Sequence, residues 1–209
     1  MIRIALLVFD EVDLLDVGGP YEVFLTANRL RERDGGTAPF EVLTVGVADG
    51  VVPAYGGLGL RPARTVADVG AIDVLVVPGA VAIDAVASRE PLREAVRDLA
   101  ARASLVASVC TGAFLLGDAG LLDGIGWTTH HEDVEALGER LGSGRGVVAR
   151  WVDAGRVVTG GGLSSGIAMS LHLVARLADL GLAERTARQI EYAWDPAAGP
   201  ERRPAPREA

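Results

Sequence analysis

Lysine is absent from this sequence: all 20 basic residues are arginine, set against 28 acidic ones for a formal charge of -8. Without a lysine ammonium there is no Schiff-base chemistry, no P-loop lysine for nucleotide phosphates and no imine to pyridoxal phosphate. Basic runs are missing too, and the acidic balance argues against nucleic acid or an anionic membrane as the main partner. Cysteine is nearly absent, since Cys110 stands alone and no internal disulfide is available. No apolar stretch reaches the ~20 residues that span a bilayer, and no charged-then-apolar leader precedes Ile2 to Val8. The expected setting is the cytoplasm. What remains is a chain of 209 residues with 49% hydrophobic content and only 10 prolines, enough for one globular domain and unlike disordered or collagenous sequence.

Ile4 to Phe9 is a continuous apolar run, the pattern of a central parallel strand buried on both faces. Asp13, Asp16 and Gly18-Gly19-Pro20 follow, and the spacing of Val23, Phe24, Ala27 and Leu30 predicts a helix over 21–33 with Pro20 in its first turn. Further strands are expected at Phe40 to Val47, Asp73 to Val77 and Leu105 to Val109, with a glycine-punctuated hairpin or irregular edge between Val51 and Leu60. A helix follows from about Pro91 to Arg102, and helical sequence resumes at Gly112. Gly126 to His130 and Val147 to Val152 read as strands, Val152 to Val157 as a hairpin turn, and Ser164 to Leu180 as a long helix capped by Ser164 or Ser165. Alternating strands and helices predict an α/β fold: a mostly parallel sheet with helices on both faces, binding ligands at the carboxyl ends of its strands. The domain is placed at residues 1–194, followed by a mobile Pro-rich tail, 195–209.

The most informative stretch is Val109-Cys110-Thr111-Gly112, because it puts a thiol on a sharp strand-to-helix turn. Helix amides there favour thiolate over thiol, although a lone cysteine is also a common small core residue. Asp16 leaves the first strand toward the same crevice, where it can serve as an acid or base or simply cap helix amides; Asp13 is the more solvated competitor. The amides of Gly79 and Ala80, with that of Thr111, are expected to point at negative charge developing near Cys110. Gly160-Gly161-Gly162 marks a close backbone approach, either to a ligand or to packed structure, and does not form a dinucleotide fingerprint. His130 and His131, adjacent in an extended segment, are expected to point apart, and His172 reads as a satisfied helix histidine, so no structural or catalytic metal is expected.

Leu15-Asp16-Val17-Gly18-Gly19-Pro20, Val77-Pro78-Gly79, Ser108-Val109-Cys110-Thr111-Gly112, Gly120-Leu121-Leu122, Thr128-Thr129-His130 and Thr159-Gly160-Gly161-Gly162 occur in an order that resembles the isonitrile (isocyanide) hydratases. These belong to the PfpI-like, ThiJ-like superfamily of the class I glutamine amidotransferase-like fold. The resemblance runs from residue 2 to about Asp195 and implies a flavodoxin-like three-layer sandwich, usually a homodimer. It also implies Cys110 as nucleophile, Asp16 beside it as acid/base group, no cofactor, and a small electrophile as substrate. In such enzymes the sulfur adds to the isonitrile carbon, and water resolves the thioimidate to an N-substituted formamide. Thr111 stands where protease-like and amidase-like branches carry histidine, which disfavours peptide hydrolysis. Gly161 and Leu163 match pocket positions near the sulfur, and His130 matches a histidine of several branches without a settled role.

Two departures bear on substrate choice: Pro78-Gly79-Ala80 replaces the usual Pro-Gly-Gly, and His131 stands where an aromatic residue is common. Two other functions share this site. One is a non-catalytic small-molecule or redox sensor, since the domain also forms the sensor half of some transcription regulators. No helix-turn-helix module is expected after Tyr192. The other is glyoxalase-like or deglycase-like action on α-oxoaldehydes, which would recruit His130.

Overall fold

The computed structural model describes residues 1–142, 144–197 and 199. Most of the proposed tail therefore lies outside the described residues. The chain runs β1 (Ile2–Val8), α1 (Leu14–Arg33), β2 (Phe40–Gly46), β3 (Val52–Pro53), β4 (Gly59–Leu60), β5 (Arg64–Thr65) and β6 (Val74–Val77). It continues through α2 (Ile83–Ala87), α3 (Glu90–Arg102), β7 (Leu105–Ser108), α4 (Gly112–Asp118), a 3₁₀ turn (His131–Asp133) and α5 (Val134–Leu141). It ends with β8 (Trp151–Asp153), β9 (Val157–Gly160), α6 (Ser165–Leu177) and α7 (Leu180–Gln189). Seven strands form one sheet in the order β5-β2-β1-β6-β7-β9-β8, parallel throughout except for β8 against β9.

Strand alternation explains the unbroken apolar runs. Ile4 and Leu6 pack with Phe24, Leu30 and Leu171 on the α1, α6, α7 side, whereas Ala5 and Leu7 pack with Leu99, Phe114 and Leu116 on the other. Each large aliphatic side chain buried this way contributes about 1.5–3 kcal/mol of transfer free energy. The result is the flavodoxin-like three-layer sandwich. Its strand order reverses between β1 and β6, so the loops leaving those strands diverge and open a crevice at their carboxyl ends.

Several local expectations need correction. Helix α1 starts at Leu14, not Tyr21, because Asp13 caps it by accepting the Leu15 N–H at 3.1 Å. Pro20 is thus inside the helix, and Gly19 lies where a Cβ would press on Ile167 of α6. The segment 126–130 makes only an isolated bridge, Trp127 to Gly146, instead of a strand. Its polar groups are taken by other segments: the Thr128 N–H donates to Thr159 Oγ1, and the Thr129 hydroxyl to the Cys110 carbonyl. Of the strand expected at 147–152, only Trp151 and Val152 enter β8. The helix expected from Ser164 to Leu180 is α6, which ends three residues earlier at Leu177, and the following α7, capped where Asp179 accepts the Leu182 N–H, was not expected; neither Ser164 nor Ser165 caps α6 through its side chain. Among the described residues no helix is long and apolar enough to cross a membrane.

Candidate active site

Cys110 follows β7 at the crevice with φ of +55°, a left-handed conformation that costs a non-glycine residue about 1–3 kcal/mol and needs support from its surroundings. Its N–H donates to the Gly161 carbonyl at 2.9 Å, and its own carbonyl accepts the Thr129 hydroxyl at 2.9 Å. Gly112 completes the turn, donating to the Val109 carbonyl; a side chain there would collide with the carbonyls of Val77 and Pro78. The glycine run is therefore used by packed backbone: Gly161 holds the elbow, and Gly162 lies bare beneath the His130 ring.

Asp16, fully buried in the first turn of α1, faces this elbow. One oxygen, Oδ2, accepts the Gly79 N–H at 2.9 Å, while among the described residues Oδ1 has no partner of hydrogen-bonding geometry. Burial raises its pKa to about 7; the Gly79 N–H opposes that rise, the Asp13 charge adds to it, and interaction with the Cys110 thiol opposes it again. Burial also pushes the Cys110 thiol up to about 12, and the charge of Asp16 pushes in the same direction. The backbone N–H groups of Leu163 and Thr111 act on the sulfur the other way, but they do not win. At 8% exposure, burial thus opposes the thiolate that the helix amides were expected to favour.

The Pro78-Gly79-Ala80 loop also differs from expectation. The Gly79 N–H is given to Asp16, and the Ala80 N–H to Thr111 Oγ1 at 2.9 Å, which in turn donates to the Ala80 carbonyl at 2.8 Å. Both amides are occupied, so the loop clamps Asp16 and Thr111 instead of presenting an oxyanion hole. The amides that do face the sulfur belong to Thr111 and Leu163; the Leu163 side chain points substantially to solvent. Thr129 is the participant that residue reasoning did not single out. Its signal was the Thr-Thr-His run that follows the cysteine.

His130 borders the site without bonding to Cys110 among the described residues; its Nδ1 is 3.3 Å from Asp133 Oδ2. His131 begins the 3₁₀ turn and its ring lies 4.4 Å from that of His130, centre to centre. The expectation that these two side chains point apart is overturned, because the chain turns between them instead of running extended. His172 is bonded to Asp153 at 2.7 Å and stacks on Trp151, as a satisfied helix histidine should. A cavity of about 540 Å³ lies elsewhere on the carboxyl edge, lined by Phe9, Val47, Arg89 and Leu92 among others. It contains none of the groups with strongly shifted titration, and chemistry is better sought where those converge.

A doubly wound sheet thus carries a cysteine on a strained strand-to-helix turn, beside a buried carboxyl group at the switch point. Residues 2–176 match the DJ-1/PfpI family, and the chain belongs to it. It is 34% identical over 200 residues to an isonitrile hydratase of Pseudomonas putida, covering 93% of this chain and 80% of that protein. A ThiJ/PfpI family protein from Pseudomonas syringae superposes with a TM-score of 0.80 at 30% identity, covering 93% of this chain and 76% of the other. The HTH-type transcriptional regulator GbdR of Pseudomonas aeruginosa is 30% identical over 179 residues, but those span 83% of this chain and only 46% of the regulator.

Proposed function

We propose that this protein hydrates isonitriles to N-substituted formamides with Cys110 as nucleophile and Asp16 as proton carrier. The observation that carries the proposal is the buried Asp16 carboxyl, anchored by Gly79 and turned toward the thiol, in a chain that resembles an isonitrile hydratase over most of its length. Near neutral pH the pair holds one proton. As the sulfur bonds to the isonitrile carbon, Asp16 takes the thiol proton and delivers it to that carbon, giving a thioimidate, Cys110 Sγ–CH=N–R. Taking up the proton neutralises Asp16, removing the negative charge that opposes thiolate formation, and delivering it to carbon restores the carboxylate. Water then adds to the thioimidate carbon and the C–S bond breaks. The thiol regains a proton, and the product R–NH–CHO contains the substrate plus one water.

Thr111 and Leu163 serve this reading through their amides, which stabilise charge on the sulfur as it forms and as it leaves. Gly79 and Ala80 serve it by positioning Asp16 and Thr111, and Gly161 by holding the elbow. The test is incubation with alkyl and aryl isonitriles, with formamide followed by chromatography and methylglyoxal consumption assayed in parallel. Formamide from the parent protein but not from folded Cys110→Ala or Asp16→Asn supports the reading; methylglyoxal turnover alone, with no formamide, defeats it. The resemblance to GbdR favours one alternative, a sensor in which the site binds without turnover. Ligand binding by a protein that turns over neither substrate selects it.

The cytoplasm suits a lone thiol that has to stay reduced. A homodimer fits the surface beside the crevice, where exposed Leu14, Leu15, Tyr55, Leu58 and Val81 project from segments joined by the Tyr55-to-Val12 bond and the Val12–Ala80 bridge. Sedimentation should show a dimer that Leu15→Arg with Tyr55→Arg dissociates; a monomeric parent protein removes this part of the proposal.

A further inference from the structure

We infer that His130, His131 and Glu132 form a binding site for a divalent transition-metal ion of the zinc, cobalt or nickel type, at the rim of the cysteine crevice. Each residue offers one ligand atom, and these atoms lie within 4.8 Å of one another. The backbone makes this possible. His130 has ψ of 138° and precedes the 3₁₀ turn beginning at His131, so neighbouring imidazoles that would diverge on a strand are brought within 4.4 Å of each other, centre to centre, at a tilt of 44°.

The donor set selects the ion. Two neutral imidazoles with one carboxylate suit a borderline cation that accepts nitrogen, whereas magnesium and calcium prefer oxygen ligands. His130 is also held as metal-binding histidines usually are. Its Nδ1 lies 3.3 Å from Oδ2 of Asp133, a carboxylate outside the ligand set that orients the ring. The same ring is seated against the bare backbone of Gly162, where any side chain would collide with it. His131 and Glu132 are exposed, so their side chains face solvent, and an ion of this type would take bonds of about 2.0–2.2 Å to the cluster. The site adjoins the elbow covalently, because Thr129, which holds the Cys110 carbonyl, immediately precedes His130.

The test is titration of chelator-treated protein with Co²⁺, followed by visible absorption, and with Zn²⁺, followed by calorimetry. The expected result is one ion per chain, at unchanged affinity in Cys110→Ser, with binding weakened at least about ten-fold in His131→Ala and in Glu132→Gln. Melting temperatures matching the parent would show that these exposed substitutions leave the fold intact. Absence of stoichiometric binding overturns the inference, as does binding that survives His131→Ala or that disappears with the Cys110 thiol. Neither readout uses turnover, so a protein that binds zinc but makes no formamide refutes only the hydratase reading.

Discussion

Replacing Asp16 by asparagine should make the protein more stable while abolishing turnover, and the gain should depend on pH in a defined direction. A carboxyl group whose pKa rises from 3.8 in the unfolded chain to about 7 in the fold keeps its proton longer when folded. The native state then binds more protons than the unfolded state between those values, so stability falls as pH rises from about 4 to about 7 and is level above. The whole rise corresponds to about 4 kcal/mol of strain from ionising a buried acid. Asparagine retains an oxygen for the Gly79 N–H but never ionises. Urea unfolding of both proteins should show nearly equal stability at about pH 4 and a gap in favour of Asp16→Asn of about 4 kcal/mol at about pH 8. Taking the difference between the proteins cancels Asp68, Asp153 and Asp179, whose pKa values are lowered equally in both. A gap that stays constant with pH, or that favours the parent at about pH 8, would show that Asp16 does not carry a burial penalty and refute its role as a proton carrier tuned by desolvation.

The same titration sets the rate profile. With the thiol up at about 12, the reactive pair holds one proton from about pH 7 upward, so kcat/KM should climb to a plateau above about pH 7; a fall through that pH would assign the reaction to protonated Asp16 instead. Thr111→Val removes the hydroxyl that bonds both the N–H and the carbonyl of buried Ala80, and should cost about 2–3 kcal/mol by thermal or urea unfolding, with Thr111→Ser restoring most of it. Gly79→Ala places a methyl 2.8 Å from the Thr111 N and 3.0 Å from Asp16 Oδ2, so formamide production should fall at least about ten-fold even where circular dichroism shows a folded protein.

The sandwich was legible because its strands are buried on both faces: Ile4 to Val8 and Val74 to Val77 read as continuous apolar runs with no competing pattern. The elbow was legible too, since a lone cysteine with glycine two residues on has few other uses at a strand end. The start of α1 was not, because Gly18-Gly19-Pro20 resembles a helix entrance, whereas one side-chain bond from Asp13 starts the helix two turns earlier. The segment 126–130 misled for a related reason. Its residues have strand propensity, yet side chains of Thr129 and Thr159 tie it to the elbow and to β9, and that pairing leaves no trace in local composition. The resting charge of the sulfur could not be read either, because it depends on how far burial exceeds the help of two amides.

The occupied amides of Gly79 and Ala80 separate the chemistries that could use this cysteine. Acyl transfer through a tetrahedral adduct builds negative charge on a carbonyl oxygen and needs free N–H donors aimed at it. Here the loop that would supply them is closed on Asp16 and Thr111, and releasing either amide would expose a buried carboxyl or hydroxyl to the loss of its partner. Addition of a thiol to an isonitrile makes no oxyanion in its first step; it needs a proton moved from sulfur to carbon and charge on sulfur held briefly. A buried carboxyl with a pKa of about 7 and two amides turned toward the sulfur suit that step, and they suit it with the loop left as it is. The departure from Pro-Gly-Gly at Ala80 fits the same division of labour, since a loop used as a clamp tolerates a methyl group on the residue whose amide is already spent.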